Sequence, residues 1–443
     1  MQSLITRRKF IDQTIRGTAG AIAASACCGR FADSSASPAA LSRVVTVRDD
    51  QAVDKNVINA AVAQIMMNAG IMGLTGIDDV GEAWRSLFPG ITASSVIGIK
   101  INCLFSSMAT HPKATATVVE GLKQMIVDGN PFPENNIIVW DRSDYDLTKC
   151  GYTINTGGTG VRCFGTNSSY TSQSYSISGA SKQSISRILT DRCAFLVNLC
   201  VLKNHGISGV SLSLKNHLGT CSDPGGMHDN YCNPSLASLN SLSAIRDKQV
   251  VAICDAFLGT ISGGPDHSPQ VAPKSLIFSR DPVAMDYVGA QMLKANGCST
   301  TSLTGASRHI ATAGQSPYNL GTSDPAQMEQ ILIENPSLST HAPRDSKNLL
   351  ADGFEIDPNH PNPFNSDTVL SYSLARSERV RIEVWNSHGG KVCTLFDGER
   401  APGRHAHVWN GNSETGSPVS SGIYLAVFQI GSTRRTLRMD LLR

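Results

Sequence analysis

CAFLVNLCVLKNH, residues 193–205, is the stretch that decides the fold. As far as Lys203 it is apolar at nearly every position, with no polar alternation. A strand with one wet face alternates apolar and polar side chains, whereas a strand buried on both faces does not. The segment therefore predicts an interior strand, and it closes on three polar groups, Lys203, Asn204 and His205.

Four more segments repeat this pattern: SSVIGIKINCLF (94–105), NNIIVWD (135–141), QVVAICDAFLG (249–259) and KSLIFSRD (274–281). Helical segments separate them. DKNVINAAVAQIMMNAG (54–70) has helical apolar spacing at Val57, Ala60, Ala61, Ile65 and Met66. PKATATVVEGLKQMIVDG (112–129) carries Pro112 near its start and Gly129 past its end, and PVAMDYVGAQMLKANG (282–297) starts at Pro282 and stops at Gly297. Unalternating strands separated by helices predict an α/β fold, a mostly parallel sheet covered by helices on both faces. Residues 150–192, rich in Ser, Thr, Gly and Tyr, read as loops or a small β excursion, and 299–345 as loops with a short helix around PAQMEQILIEN.

Composition changes after about residue 345. DGFEIDPNHPNPFN reads as a Pro/Asn-rich hinge, and TVLSYSLA, VRIEVWNS, HAHVWNG, GIYLAVFQI and TLRMDLL read as short alternating strands between turn clusters. That spacing predicts a small all-β Ig-like sandwich. The expected organisation is a signal peptide over 1–30, a linker over 31–45, the α/β domain over 46–340, a second linker over 341–358 and the sandwich over 359–443.

The N-terminal ITRRKFIDQ places Arg7 and Arg8 before Lys9 and Phe10, and the mild apolar stretch GTAGAIAASA follows. This order resembles a twin-arginine export signal, with cleavage expected near Ala24-Ser25-Ala26. Cys27 is an alternative lipidation point, although Ala24 stands where such signals usually carry Leu. The resemblance implies the twin-arginine translocase as a partner and a destination in the periplasm, at the cell surface or outside the cell. Because that route carries folded proteins, it also hints at a cofactor. The formal net charge of +2 gives no nucleic-acid footprint, and no apolar run is long enough for a transmembrane span. Ten cysteines, Cys103 to Cys393, follow the signal. Neighbouring cysteines outside the cytoplasm tend to pair, and without a CxxC there is no ferredoxin-type cluster motif or zinc ribbon.

Polar clusters stand at the ends of the expected strands: Lys100 and Asn102, Asp141 and Arg142, Lys203 to His205, Asp255, and Arg280 with Asp281. Ligands of parallel α/β sheets bind outside the carboxyl ends of the strands. Lys100, Asn102, Asp141, Lys215 and Asn216 are the candidate ligand-binding residues, and Lys203, His205, His228 and Asp255 the candidate catalytic ones. Asp281 reads as an N-cap and Asp286 as a helix-dipole partner one turn in. GTISGGPDH (259–267) offers glycine backbone to an anion but lacks nucleotide-loop spacing. LKNHLGTCSDPGGMHDNYC (214–232) contains two His-x-x-x-Cys pairs, so His217, Cys221, His228 and Cys232 are candidate ligands of a divalent metal such as zinc or iron. Pro224, Gly225 and Gly226 prevent one helix through both pairs, and a Cys221–Cys232 disulfide is the competing reading.

IKINCL (99–104), VNLCVLKNHGISGVSLSLKNHLGT (197–220), VAICDAFLG (251–259) and SRDPVAMDYVGAQML (279–293) resemble the bacterial and archaeal family "domain of unknown function 362" over roughly 90–300. His228 matches a histidine of that family's pattern, and the cysteines do not. Some members carry ferredoxin-like iron–sulfur segments that this chain lacks. The segments NHPNPFN, YSLA, VRIEVWNSHGGKVCTLFDGERAPGRHAHVWNG, SGIYLAVFQIG and RMDLLR, within 359–443, resemble type IX secretion sorting domains and the related flagellar hook-capping Ig-like fold. That resemblance implies the type IX machinery as a further partner.

Three functions stay open on the sequence. One is an exported enzyme of unestablished reaction that binds a small anionic ligand at the carboxyl edge of the sheet. The second is a metal- or iron–sulfur-linked redox protein. The third is a non-catalytic cell-surface binding protein.

Overall fold

The structure, a computed structural model, describes residues 41–337, 353–356, 359, 362, 364–365, 367–386 and 389–442. The twin-arginine motif, Cys27 and most of both expected linkers lie outside the described residues.

The first part is a nine-stranded sheet. Its strands are β1 (Ser42–Arg48), β2 (Ile97–Lys100), β3 (Ile137–Trp140), β4 (Arg162–Cys163), β5 (Phe195–His205), β6 (Gly209–Ser211), β7 (Gln249–Thr260), β8 (Ser275–Ser279) and β9 (Met328–Glu334). The spatial order is β9-β1-β8-β7-β5-β2-β3-β4, with β6 folded back on β5. The run β7-β5-β2-β3-β4 is parallel, while β8 lies antiparallel to both β7 and β1. The sheet is therefore mixed and mostly parallel, with helices α1 (Ala60–Thr75), α2 (Pro112–Lys123), α3 (Ser213–Asn216) and α4 (Pro282–Ala295).

The missing alternation of the opening segment now has its cause. On β5, Val197 and Leu199 pack with Met66 and Ile71 of α1 and Val118 and Leu122 of α2. Cys200 and Leu202, from the same strand, pack with Val283, Ala290 and Leu293 of α4. Both faces of the strand are dry, so both need apolar side chains. Asn59 caps α1 and Asp281 caps α4, each accepting from two backbone N–H groups, and Pro112 and Pro282 occupy first-turn positions where no donor is lost.

Two expectations fail at the margins. Residues 42–45 are not linker: they open β1, which sits between β8 and β9 with Val45 and Val47 fully buried. MEQILIE is not helix: it is β9, paired in parallel with β1. An edge strand buries few of its side chains, so β9 keeps a mixed, half-exposed pattern that sequence periodicity reads poorly. Residues 150–192 are largely loops that carry β4 and isolated bridges.

The C-terminal part has two antiparallel sheets, with one isolated parallel bridge between Phe364 and Leu441. Phe354–Ile356, Thr368–Leu374 and Gly403–Trp409 form one sheet, and Lys391–Arg400, Glu378–Asn386, Gly422–Ile430 and Thr433–Leu441 the other. Tyr372, Trp409, Tyr424 and Phe428 share its core, and Trp409 meets Tyr424 edge to face with ring centroids 5.0 Å apart. The strand Lys391–Arg400 was not separated from its neighbours by periodicity; a register shift beside Ile382 interrupts its alternation.

Candidate functional site

Because β2, β3 and β5 run parallel, their carboxyl ends meet on one sheet edge. That edge brings Lys100, Asp141 and Lys203 together. The connection after β6 completes the site: α3 presents Lys215 and Asn216, and the following turns return His228 to Lys215. A cavity of about 280 Å3 results. Its lining includes Lys100, Asn102, Asp141, Arg142, Lys203, His205, Lys215, Asn216 and His228, with Leu104, Leu218, Pro224 and Pro265 supplying apolar wall.

Lys100 is spoken for. Its Nζ donates to Asp141 Oδ1 at 2.6 Å and to the Ile101 carbonyl at 2.6 Å, with no exposed surface. The other Asp141 oxygen accepts the Cys103 N–H at 2.5 Å. Asn216 Nδ2 donates to the Lys100 carbonyl and to Asn198 Oδ1. Lys100, Asp141 and Asn216 thus form a satisfied, buried floor. A side chain at position 219 would collide with it: a Cβ on Gly219 would land on the Asp141 carboxylate and 2.8 Å from Lys100 Nζ. Glycine is required there by close approach.

Among the described residues, Arg142, Lys203 and Lys215 are cations without a carboxylate partner. Arg142 donates to the carbonyls of Cys221 and Ser222. Lys203 Nζ donates to Asn102 Oδ1 at 2.9 Å and to the Met108 carbonyl at 2.8 Å. Lys215 Nζ lies 3.1 Å from His228 Nε2 and 3.8 Å from the Cys232 sulfur. Burial pushes both lysines down to about 8, opposed for Lys203 chiefly by Asp141 and for Lys215 by Cys232.

The two histidines face each other, stacked with centroids 5.5 Å apart, but their hydrogen bonds give them different tasks. His228 Nδ1 faces the Pro224 carbonyl at 2.9 Å and must carry the proton, which leaves Nε2 as an acceptor for Lys215. His205 Nδ1 accepts the Ile207 and Ser208 N–H groups, so its proton sits on Nε2. Burial and the Lys215 charge push His205 down to about 2, so it stays neutral as a hydrogen-bond donor. The proton-moving role expected for His205 does not fit this geometry, since its free nitrogen carries a proton, whereas the Nε2 of His228 is an acceptor facing Lys215.

Asp255 also departs from its expected role. It lies within β7 and accepts the His111 and Phe257 N–H groups, away from the cavity lining. Burial raises it to about 6. It fixes the loop before α2. Asp286 does not simply complement the α4 dipole: it accepts the Ser213 N–H and hydroxyl, each at 2.7 Å, and the Leu214 N–H. It anchors α3 and so aims Lys215. In GTISGGPDH, the Gly264 N–H goes to Asn204 Oδ1 rather than toward an anion, and Pro265 closes the cavity.

The candidate metal ligands do not converge. His217 is buried against Gln249 Oε1 at 2.8 Å and Thr220 Oγ1 at 3.2 Å. Cys221 donates to the Leu218 carbonyl and touches the Met227 sulfur, whereas Cys232 faces Lys215. Among the described residues no three His, Cys, Asp or Glu are arranged to hold a metal ion. The Cys221–Cys232 disulfide does not form either, both thiols being free. Cys232 is instead turned inward by three consecutive non-glycine residues with positive φ, Asn230, Tyr231 and Cys232, a strained arrangement next to the site.

A family model matches this region of the chain. Residues 97–291 match the model of the family described as "Domain of unknown function (DUF362)". The DUF362 match contains every residue of the cavity lining. No curated protein matches the chain. Among solved structures, it is similar to dimeric latent PorU from Porphyromonas gingivalis, with 14% identity over 20% of this chain and 9% of that chain and a TM-score of 0.18. PorZ, a surface component of the type IX secretion system of the same organism, is 19% identical over 24% of this chain and 13% of that one, with a TM-score of 0.16. A Thermotoga maritima protein is 11% identical over 49% of this chain and 56% of that one, with a TM-score of 0.31. These scores fall short of a shared fold. Outside the DUF362 region, no single helix among the described residues is long and apolar enough to cross a membrane, and the same holds within it.

Sequence reasoning missed Asn198, Gly219 and the anchoring role of Asp286. Asn198 lies in the middle of an apolar strand, and a lone polar residue there was the available signal. Gly219 and Asp286 act through contacts far apart in sequence and had none.

Proposed function

We propose that the chain binds a small anionic ligand at the carboxyl edge of its parallel strands and acts on it as an enzyme. The observation that carries this reading is the pair Lys203 and Lys215, buried cations that line one cavity and have no carboxylate partner among the described residues. Buried charges are normally paired, and an anion entering the cavity would pair them. Arg142 adds a third positive group, and His205 Nε2–H and Asn102 add uncharged donors. Lys215 with His228 supports proton transfer, since the imidazole nitrogen already accepts from the amine. A concave cavity with convergent polar groups favours a small-molecule enzyme over a surface-binding protein.

Export and surface delivery belong to the same proposal. Arg7 and Arg8 with their following apolar stretch support the twin-arginine translocase, and the two-sheet C-terminal region supports an Ig-like sorting domain handled by type IX machinery.

Titration calorimetry on the full chain with inorganic phosphate, lactate and succinate tests the ligand class. One site per chain is expected for at least one of them, weakened on the order of tenfold or more by Lys203→Met. No binding of any of these anions would remove the reading.

A further inference from the structure

The two buried lysines are not equivalent, and the difference identifies a class of substrate. Lys203 Nζ is held by two acceptors, Asn102 Oδ1 and the Met108 carbonyl. Neither can give it a proton or take one away, so both favour the ammonium form. Lys215 Nζ has no carbonyl or carboxylate partner among its hydrogen bonds. Its neighbours are the unprotonated Nε2 of His228 and the Cys232 sulfur. An amine in that setting has a base beside it to take its proton, and its lone pair is then free to attack. The carbon it would attack has to sit in the same cavity as Lys203 and Arg142, whose charges suit a carboxylate.

We propose that Lys215 forms an imine with its substrate and that the ligand is a small oxo acid, a molecule with a ketone or aldehyde carbonyl beside a carboxylate. This rests on the anion-binding reading of the cavity. Lys215 Nζ attacks the carbonyl carbon, and the electrons of the C–O π bond move to oxygen. The proton lost from nitrogen passes by way of His228 Nε2 to that oxygen, giving a carbinolamine. The remaining N–H proton passes by the same His228 Nε2 to the hydroxyl, which leaves as water while the nitrogen lone pair forms a C=N bond between substrate and Lys215. No oxidant or reductant is consumed. Lys203 and Arg142 hold the carboxylate, and His205 Nε2–H is the neutral donor available to the developing alkoxide.

The test is reductive trapping on the full chain. Pyruvate or glyoxylate is added with cyanoborohydride, a hydride donor that converts an imine to a stable secondary amine, and the modified peptide is located by mass spectrometry. The adduct is expected on Lys215 in preference to Lys203 and to the exposed lysines. His228→Asn is expected to slow trapping on the order of a hundredfold while the adduct stays on Lys215. Calorimetry with lactate, which has the carboxylate but no carbonyl, runs alongside. Lactate or phosphate binding without any Lys215 adduct would overturn the imine and leave the anion site standing. Adducts confined to other lysines would overturn it equally. Absence of both binding and adduct would remove the two readings together.

Discussion

Lys100 Nζ and Asp141 Oδ1 lie 2.6 Å apart at the floor of the cavity, and both side chains are almost completely shut off from solvent. The pair joins the carboxyl ends of β2 and β3. Its geometry is satisfied on every side, so removing one partner leaves a buried charge alone. Lys100→Met is expected to destabilise the fold by about 3–5 kcal/mol. The double variant Lys100→Met with Asp141→Leu should recover most of that loss, because two apolar groups leave no orphaned charge. Urea unfolding of the three proteins checks it, and equal losses in single and double variants would contradict the pairing.

Gly219 is coupled to the same pair by lack of space. Gly219→Ala is expected to weaken anion binding and to lower stability by about 1–3 kcal/mol, the range for overpacking. The signature is that the loss shrinks when Asp141 is also shortened to Ala. A glycine kept only for loop flexibility would show no such dependence.

The two lysines set a pH dependence. Both are lowered from 10.5 to about 8 in the folded chain. Between those values the unfolded chain holds more protons than the folded one, so stability rises with pH across that window. The cost of burying the two charges is fully present below pH 8 and is relieved toward 10.5, on the order of 3 kcal/mol per lysine. Anion affinity moves the opposite way, because the ligand needs the ammonium form. Affinity for lactate, whose own charge is fixed across this range, should be level up to about pH 7.5 and fall beyond 8, and calorimetry across that range with parallel unfolding curves measures both slopes.

His205 is predicted to stay neutral. Its Nδ1 accepts two backbone N–H groups, and its pKa is pushed down to about 2. Nitrogen-15 imidazole spectra should show the Nε2–H tautomer unchanged from pH 8 to pH 5, while His228 is free to titrate within a lower range than an ordinary histidine. Titration of His205 near pH 6 would refute its assignment as a fixed donor. His205→Ala is expected to cost about 1–3 kcal/mol, since it orphans buried donors at the β5–β6 turn.

Asp286 acts on the site from outside it. It gathers the Ser213 N–H, the Ser213 hydroxyl and the Leu214 N–H, and α3 begins there. Asp286→Ala is expected to lower both stability, by about 2–4 kcal/mol, and the yield of the Lys215 adduct. Asp286→Asn keeps one acceptor oxygen and should retain part of both. A stability loss with unchanged trapping would mean that Asp286 does not aim Lys215.

What the sequence determined by itself was the kind of sheet and the edge at which its polar groups collect. An unalternating apolar strand such as Phe195–His205 has to be dry on both faces, and parallel strands have to end on the same side. Lys100, Asp141, Lys203 and His205 were legible for that reason, and so was the capping role of Asp281 before Pro282. The edge strand Met328–Glu334 was not legible, because a half-exposed strand lacks a clean period. Only the tertiary structure decided which polar groups are partners and which are free. Lys100 and Lys203 look alike in sequence, yet one is neutralised by Asp141 and the other is not. Asp255 turns to a backbone loop, His217 turns to Gln249, and Cys221 and Cys232 do not meet. Those outcomes depend on distances between residues far apart in the chain, and local spacing carries no record of them.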